Sequence, residues 1–150
     1  MLVDREAAKV IQRISAMFLA GTRQIDIARQ LNDENIPSPV MLRRMRKDNF
    51  PCVQKTEKSC WTGRSVAKIL EDERYTGSAI YGRYRSVKVG SKKITPADRK
   101  DWIIVPNQYE SIITPEDFWN VQERKQKRQR KAEFVREKKQ EKRENLFAKK

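Results

Sequence analysis

WTGRSVAKILEDERYTG, residues 61–77, is the stretch on which the reading of the chain turns. Thr62 is a residue type that caps helices, and Val66, Ile69 and Leu70 recur at helical spacing, so a short helix is expected from Thr62 to Asp72. Its apolar face is small. The other side carries Gly63, Arg64, Ser65 and Lys68, none of which a core requires. Such a side is either an ordinary solvated surface or a surface for a partner.

Upstream, residues 4–19 (DREAAKVIQRISAMFL) read as a helix with Asp4 as N-cap and a stripe of Ala7, Val10 or Ile11, Ile14 and Phe18. Gly21 is a natural stop. Residues 22–32 (TRQIDIARQLN) read as a second helix, capped by Thr22 and lined by Ile25, Ala28 and Leu31. The short connection, with a small Ala28 inside the second helix, is that of a helix-turn-helix start. Ile36, Pro37 and Pro39 end that helix and extend the chain. Residues 40–60 lack a clear period and read as an insertion; the segment MLRRMRKDNF has room for a helical turn and gathers Arg43, Arg44, Arg46 and Lys47.

Downstream, Thr76–Tyr84 alternates as a half-buried strand does, and Trp102–Val105 is a second strand, so the two are expected to form a long hairpin. The basic loop between them (RSVKVGSKKITPADRK) is either a solvated connector or a wing lying on a phosphate backbone. Thr114, Pro115, Glu116 and Asp117 mark a strong helix start. Phe118 and Val121, with Trp119, anchor that helix to the core, and beyond Gln122 it turns highly polar. A helix this polar is held by i,i+4 pairs around Glu133 and Glu137 rather than by a core. Three readings of it stand: a connector between domains, a rod along a DNA backbone, or a frayed tail.

The 150 residues suffice for one domain with an appendage, here 1–113 for the domain and 114–150 for the connector helix and basic tail. Lys and Arg number 34 against 20 Asp and Glu, a net charge of +14 that points to a polyanionic partner. With no histidine, no phosphate-cradling Gly-rich loop and no clustered carboxylates, nothing casts the chain in a catalytic role. Cys52 and Cys60 do not match a zinc knuckle and read as thiols of a reducing compartment, so no metal or other cofactor is expected. The run from Val10 to Ala20 is amphipathic and too short to span a bilayer, and no signal peptide is apparent, which places the protein in the cytoplasm.

Taken in order, helix, turn, helix, insertion, helix and hairpin make an α+β, mainly helical chain. The arrangement is a winged helix-turn-helix with an enlarged turn, a β-hairpin and a long basic C-terminal helix. The helix from Thr62 is then the one that enters a DNA major groove with its first turn. Thr62 caps it, Gly63 permits close backbone approach, Arg64 can fork onto guanine O6 and N7, and Ser65 and Lys68 can reach a base or phosphate. Arg23, the insertion cations Arg43, Arg44, Arg46 and Lys47, and the hairpin cations Arg83, Arg85, Lys88, Lys92 and Lys93 are the remaining candidates for DNA contact.

VIQRISAMFLAGTRQIDIARQLNDENIPSP, WTGRSVAKILEDERYTGSAIYGR and WIIVPNQYESIITPEDFWNVQERKQ together resemble the recombinase domain of large serine recombinases, the phage integrases and transposon-borne site-specific recombinases. The matching elements are Ala-Gly before Ile-Ala-x-x-Leu-Asn, Ile-Pro-x-Pro, Trp-Thr with Val and Ile-Leu behind it, and Arg-Tyr-Thr-Gly before Tyr-Gly. Last comes Ile-Ile-x-x-Glu-x-Phe-x-x-Val-Gln, and the likeness covers residues 2–128. The resemblance implies a middle domain that binds the inner part of an attachment half-site. In that family a catalytic serine domain precedes it and a zinc ribbon follows. The chain would then hold no nucleophile of its own, act with other recombinase protomers on double-stranded DNA, and be nucleoid-associated. The polar helix would lead toward the ribbon. A winged-helix transcriptional regulator and, behind it, a basic RNA-binding structural protein are the other readings.

Overall fold

Asp4 accepts hydrogen bonds from the Glu6 and Ala7 amides and starts α1 (Arg5–Ala20), while Gly21, with φ of 117°, ends it in the left-handed conformation. The computed structural model describes residues 4–46, 60–88 and 93–147. The fold is mixed α+β and mainly helical, as expected. Most of the 40–60 insertion, with Lys47 and Cys52, lies outside the described residues, as does Lys92. Cys60 is an exposed free thiol.

The second helix departs from the reading by two residues. α2 runs Gln24–Asp33 and its N-cap is Arg23, with no side-chain cap bond; Thr22 does not cap it. Thr22 stays in the turn, where its carbonyl accepts from Arg128. The buried face also differs from the expected one. Ile27, Ala28 and Leu31 are buried, and Ile25 is 57% exposed. In α1 Ala8 is buried and Ala7 only half so. Pro39 does not extend the chain. It is the first residue of α3 (Pro39–Met45), where a fixed φ and a missing N–H cost nothing, and Ser38 caps it by accepting from the Met41 amide.

α4 (Gly63–Glu71) starts where Thr62 predicts. Thr62 and Ser65 form a reciprocal capping box: the Ser65 amide donates to Thr62 Oγ1 at 3.1 Å, and the Thr62 amide donates to Ser65 Oγ at 2.9 Å. Val66, Ile69 and Leu70 enter one core with Ile11, Ile14, Phe18, Ile27, Leu31, Trp61, Ile113, Phe118 and Val121. α4 packs chiefly on α2, and one side chain sets the junction. Asn32, at the end of α2, accepts from the Trp61 amide at 2.7 Å and donates to the Trp61 carbonyl at 2.9 Å. The Trp61 indole donates to the Ile36 carbonyl at 2.9 Å.

Thr76–Tyr84 is not one strand. Residues Glu73–Thr76 form a 3₁₀ turn, β1 covers only Ala79–Tyr81, and β2 covers Tyr84–Ser86. The break falls at Gly82, with φ of 73°, a conformation that glycine reaches without strain. The returning arm is β3 (Ile94–Pro96), a 3₁₀ turn Arg99–Asp101, and β4 (Ile103–Val105), so Trp102 lies just before the strand. β1 pairs antiparallel with β4 (Ile80 opposite Ile104), and β2 with β3 (Arg85 opposite Thr95). The expected long hairpin is therefore present as two short ladders, and part of the basic loop is strand. Gly77 anchors its base: its carbonyl accepts from the Gln108 and Tyr109 amides, and a Cβ there would stand 2.6 Å from the Tyr109 carbonyl oxygen.

Thr114 caps α5 (Pro115–Phe147) by accepting from the Asp117 amide at 3.1 Å. Phe118 and Val121 are buried, but Trp119 is 55% exposed and touches Phe118 only edge-on. Residues 129–144 are exposed throughout, with i,i+4 hydrogen bonds from Gln129 to Glu133 and Gln140 to Glu144.

Asn32→Ala deprives both backbone groups of Trp61 of their partner and should lower the unfolding free energy by about 1–3 kcal/mol. Urea denaturation reads this directly. A loss below about 0.5 kcal/mol would mean that Trp61 keeps its place without Asn32.

Candidate nucleic-acid interface

Two helix starts meet at one point. A Cβ on Gly63 would lie 3.0 Å from Ile25 Cγ1 and 3.5 Å from the Ile25 amide nitrogen. Gly63 therefore lets the first turns of α4 and α2 meet closely, a reason internal to the fold. Beside this contact runs a cleft of about 330 Å³ lined by Phe18, Arg23, Gln24, Ile25, Lys125, Arg128 and Gln129. With no side chain capping α2, its first amides face an environment that favours an anion.

The candidate cations separate into those already committed within the fold and those that are not. Arg23 holds Asp26 through Nε at 2.7 Å and Nη2 at 3.3 Å. Arg46 is bound to Asp4, the cap of α1, and that hydrogen bond holds the Asp4 carboxyl below its ordinary pKa. Arg83 lies 3.8 Å from Asp72 and its guanidinium stands over the Trp102 ring at 5.1 Å. Ser65 has its hydroxyl in the capping box, donating to the Thr62 carbonyl at 2.7 Å. Arg64 and Lys68, by contrast, are exposed one turn apart on the face of α4 opposite Val66, Ile69 and Leu70. Among the described residues, the side chains of Arg64, Lys68, Arg85 and Lys88 make no ion pair or hydrogen bond of their own. Arg85 and Lys88 are exposed on the outer hairpin, as is Lys93 on its returning arm. Arg43 and Arg44 occupy the last turn of α3.

Several residues that shape this surface were not legible as site residues. Arg99 stacks between Trp102 at 5.7 Å and Trp119 at 6.0 Å and pairs with Glu73 at 2.7 Å, tying the hairpin base to α5. Lys125 reaches Glu71 at the end of α4, and Arg128 reaches the Gly21 and Thr22 carbonyls. Only the density of basic residues in 124–128 hinted at them.

A family model described as Recombinase matches residues 5–128. The chain belongs to the Recombinase family. Among curated proteins, "Uncharacterized protein YefB" of Bacillus subtilis (strain 168) is 35% identical to it over 91 residues. That match covers 61% of this chain and 27% of the relative, so the Recombinase chain spans little more than a quarter of that protein's length. No solved structure matches. Among the described residues no helix is long and apolar enough to cross a membrane.

Asp72 sits where α4 gives way to the hairpin and is 14% exposed at its side chain. Burial disfavours its charge, but Arg74, bonding through Nη2 at 2.5 Å and Nε at 2.9 Å, and the nearby Arg83 outweigh burial and hold its pKa below the usual value. A carboxylate with a folded pKa below its unfolded one stabilises the fold above the unfolded pKa. That stabilisation is lost as pH falls through the folded value. The melting temperature should therefore fall on acidification, and Asp72→Asn should start lower at neutral pH and fall less steeply. Parallel curves for the two proteins would remove Asp72 as a source of the acid sensitivity.

Proposed function

We propose that this Recombinase chain is a double-stranded DNA-binding module of a serine site-specific recombinase, built as a winged helix-turn-helix. α1 and α2 form the first two helices, α3 lies in the enlarged turn, α4 is the reading helix and the β1–β4 hairpin is the wing. The single observation that carries the reading is the α4 start. A capping box, a buried face of Val66, Ile69 and Leu70 and the Asn32–Trp61 bridge hold this helix in place, while Arg64 and Lys68 project from its other face with no side-chain partner among the described residues. A helix end held in place with unspent cations suits a major groove, where arginine forks onto guanine.

Phosphate contacts fall to Arg85, Lys88 and Lys93 on the wing, to Arg43 and Arg44 on α3, and to Lys47 and Lys92. Arg23, Arg46 and Arg83 take part through the residues they hold in place. Thr62, Gly63 and Ser65 shape the α4 start that Arg64 leaves from. The chain up to residue 113 binds an attachment half-site, and 114–150 leads on toward the rest of the recombinase. Cleavage and strand transfer belong to a catalytic serine outside these 150 residues, in a bacterial cytoplasm at the nucleoid, with partner protomers on the same DNA.

Selection of bound duplexes from a randomised library should enrich a non-palindromic motif of about one helical turn. Arg64→Ala should cost about 1–3 kcal/mol on the enriched duplex and little on others. Equal loss on every duplex would place Arg64 on phosphate instead. Arg85→Ala and Lys88→Ala should weaken all duplexes alike, each lowering the slope of log affinity against log salt by about one unit. A change confined to one base position would remove those two from the backbone. A palindromic motif bound by a stable dimer would favour a winged-helix regulator, and equal competition by structured RNA would favour an RNA-binding protein.

A further inference from the structure

We infer that Ile25 is a specificity-determining residue that reads the C5-methyl group of a thymine in the bound duplex, an inference that rests on the DNA-binding reading above. Ile25 is an aliphatic side chain 57% exposed in the first turn of α2, where the core needs Ile27, Ala28 and Leu31 instead. It is not loosely placed. Its Cγ1 lies against Gly63, close enough that a Cβ there would meet it at 3.0 Å, so it is seated on the first turn of the reading helix directly before Arg64. Arg64 is the next residue beyond its contact, and Arg23, Lys125 and Arg128, held in place by Asp26, Glu71 and the Gly21 and Thr22 carbonyls, line the same cleft.

A purely cationic surface would serve phosphates alone. A branched aliphatic group fixed within that surface has one apolar counterpart on a major-groove edge, the thymine methyl, which cytosine and both purines lack. Lysine, serine or glutamine at this position would suit a phosphate equally well. A side chain at Gly63 would require Ile25 to shift by a few tenths of an ångström, so the glycine lets Ile25 sit close against the start of α4.

The test uses the whole chain and the duplex that it selects from a randomised library. Each thymine of that duplex is replaced in turn by deoxyuridine, which removes only the methyl group. At one position the replacement should weaken binding by the native chain about fourfold, the effect of burying a single methyl-sized group. Ile25→Ala should lose this sensitivity at that position, and Ile25→Val, which keeps a branched aliphatic, should retain most of it. Since Ile25 lies outside the core, both variants should melt near the native temperature. If no thymine shows a methyl effect that depends on Ile25 while Arg64→Ala still relaxes the motif, the inference is overturned and the DNA-binding reading stands. Uniform weakening of all duplexes by Ile25→Ala also overturns it. Absence of duplex binding by the native chain overturns both.

Discussion

The guanidinium groups of Arg124 and Arg128 close the end of α1, and much of the molecule hangs on that closure. Arg124 donates to the Leu19 carbonyl at 2.9 Å, and Arg128 to those of Gly21 and Thr22 while lying over the Phe18 ring at 4.8 Å. The last carbonyls of a helix have no partner within it and carry the negative end of its dipole; Arg124 answers both needs at Leu19, and Arg128 holds the turn that follows. The same stretch of α5 does this twice: Gln122 donates to the Leu70 carbonyl at 2.7 Å, and Lys125 pairs with Glu71, at the end of α4. One turn and a half of α5 thereby holds the C-terminal ends of two helices. The turn between α1 and α2 and the direction of α4 are set from the same place.

This arrangement changes how the net charge of +14 should be understood. Cations at Arg23, Arg46, Arg74, Arg83, Arg99, Lys125 and Arg128 are engaged with carboxylates, carbonyls or aromatic rings of the fold. They serve as structural struts in a chain with few apolar residues to spare. The cations that remain outward include those at the start of α4, along the outer hairpin and on the exposed stretch of α5 from 129 to 144. A basic composition alone would not have separated these two groups, because Arg83 and Arg85 look alike in the sequence and differ only in what lies beside them.

What the sequence reveals and what it hides follows the range of the interactions. Asp4, Gly21, Thr62, Thr114 and Pro115 act on amides and carbonyls within a few residues, and each marks the helix end that it was expected to mark. α2 was harder because its sequence carries two competing stripes. Ile25, Ala28 and Leu31 repeat as well as Ile27, Ala28 and Leu31, and only packing against α4 and the core distinguishes the second. The split of the hairpin depends on Gly82, and a Cβ there would lie 3.2 Å from the Asp101 carbonyl oxygen on the returning arm, a contact that no local pattern encodes. The Asn32–Trp61 bridge and the Arg124 and Arg128 contacts join residues 29 to 107 positions apart, and periodicity carries no trace of them.

α5 leaves its last anchored residue, Arg128, and continues as helix from Gln129 to Phe147, a length of about 28 Å at about 1.5 Å per residue. That makes it a lever whose fulcrum is the capped end of α1. A tilt of about 7° at the fulcrum moves the far tip by about 3.4 Å, the rise of one base step along a DNA strand. The tip then holds a fixed position only if the fulcrum is stiff. Four polar side chains between 122 and 128 are therefore tolerances in a mechanical sense, since the accuracy with which they seat α5 limits the accuracy with which its far end is placed.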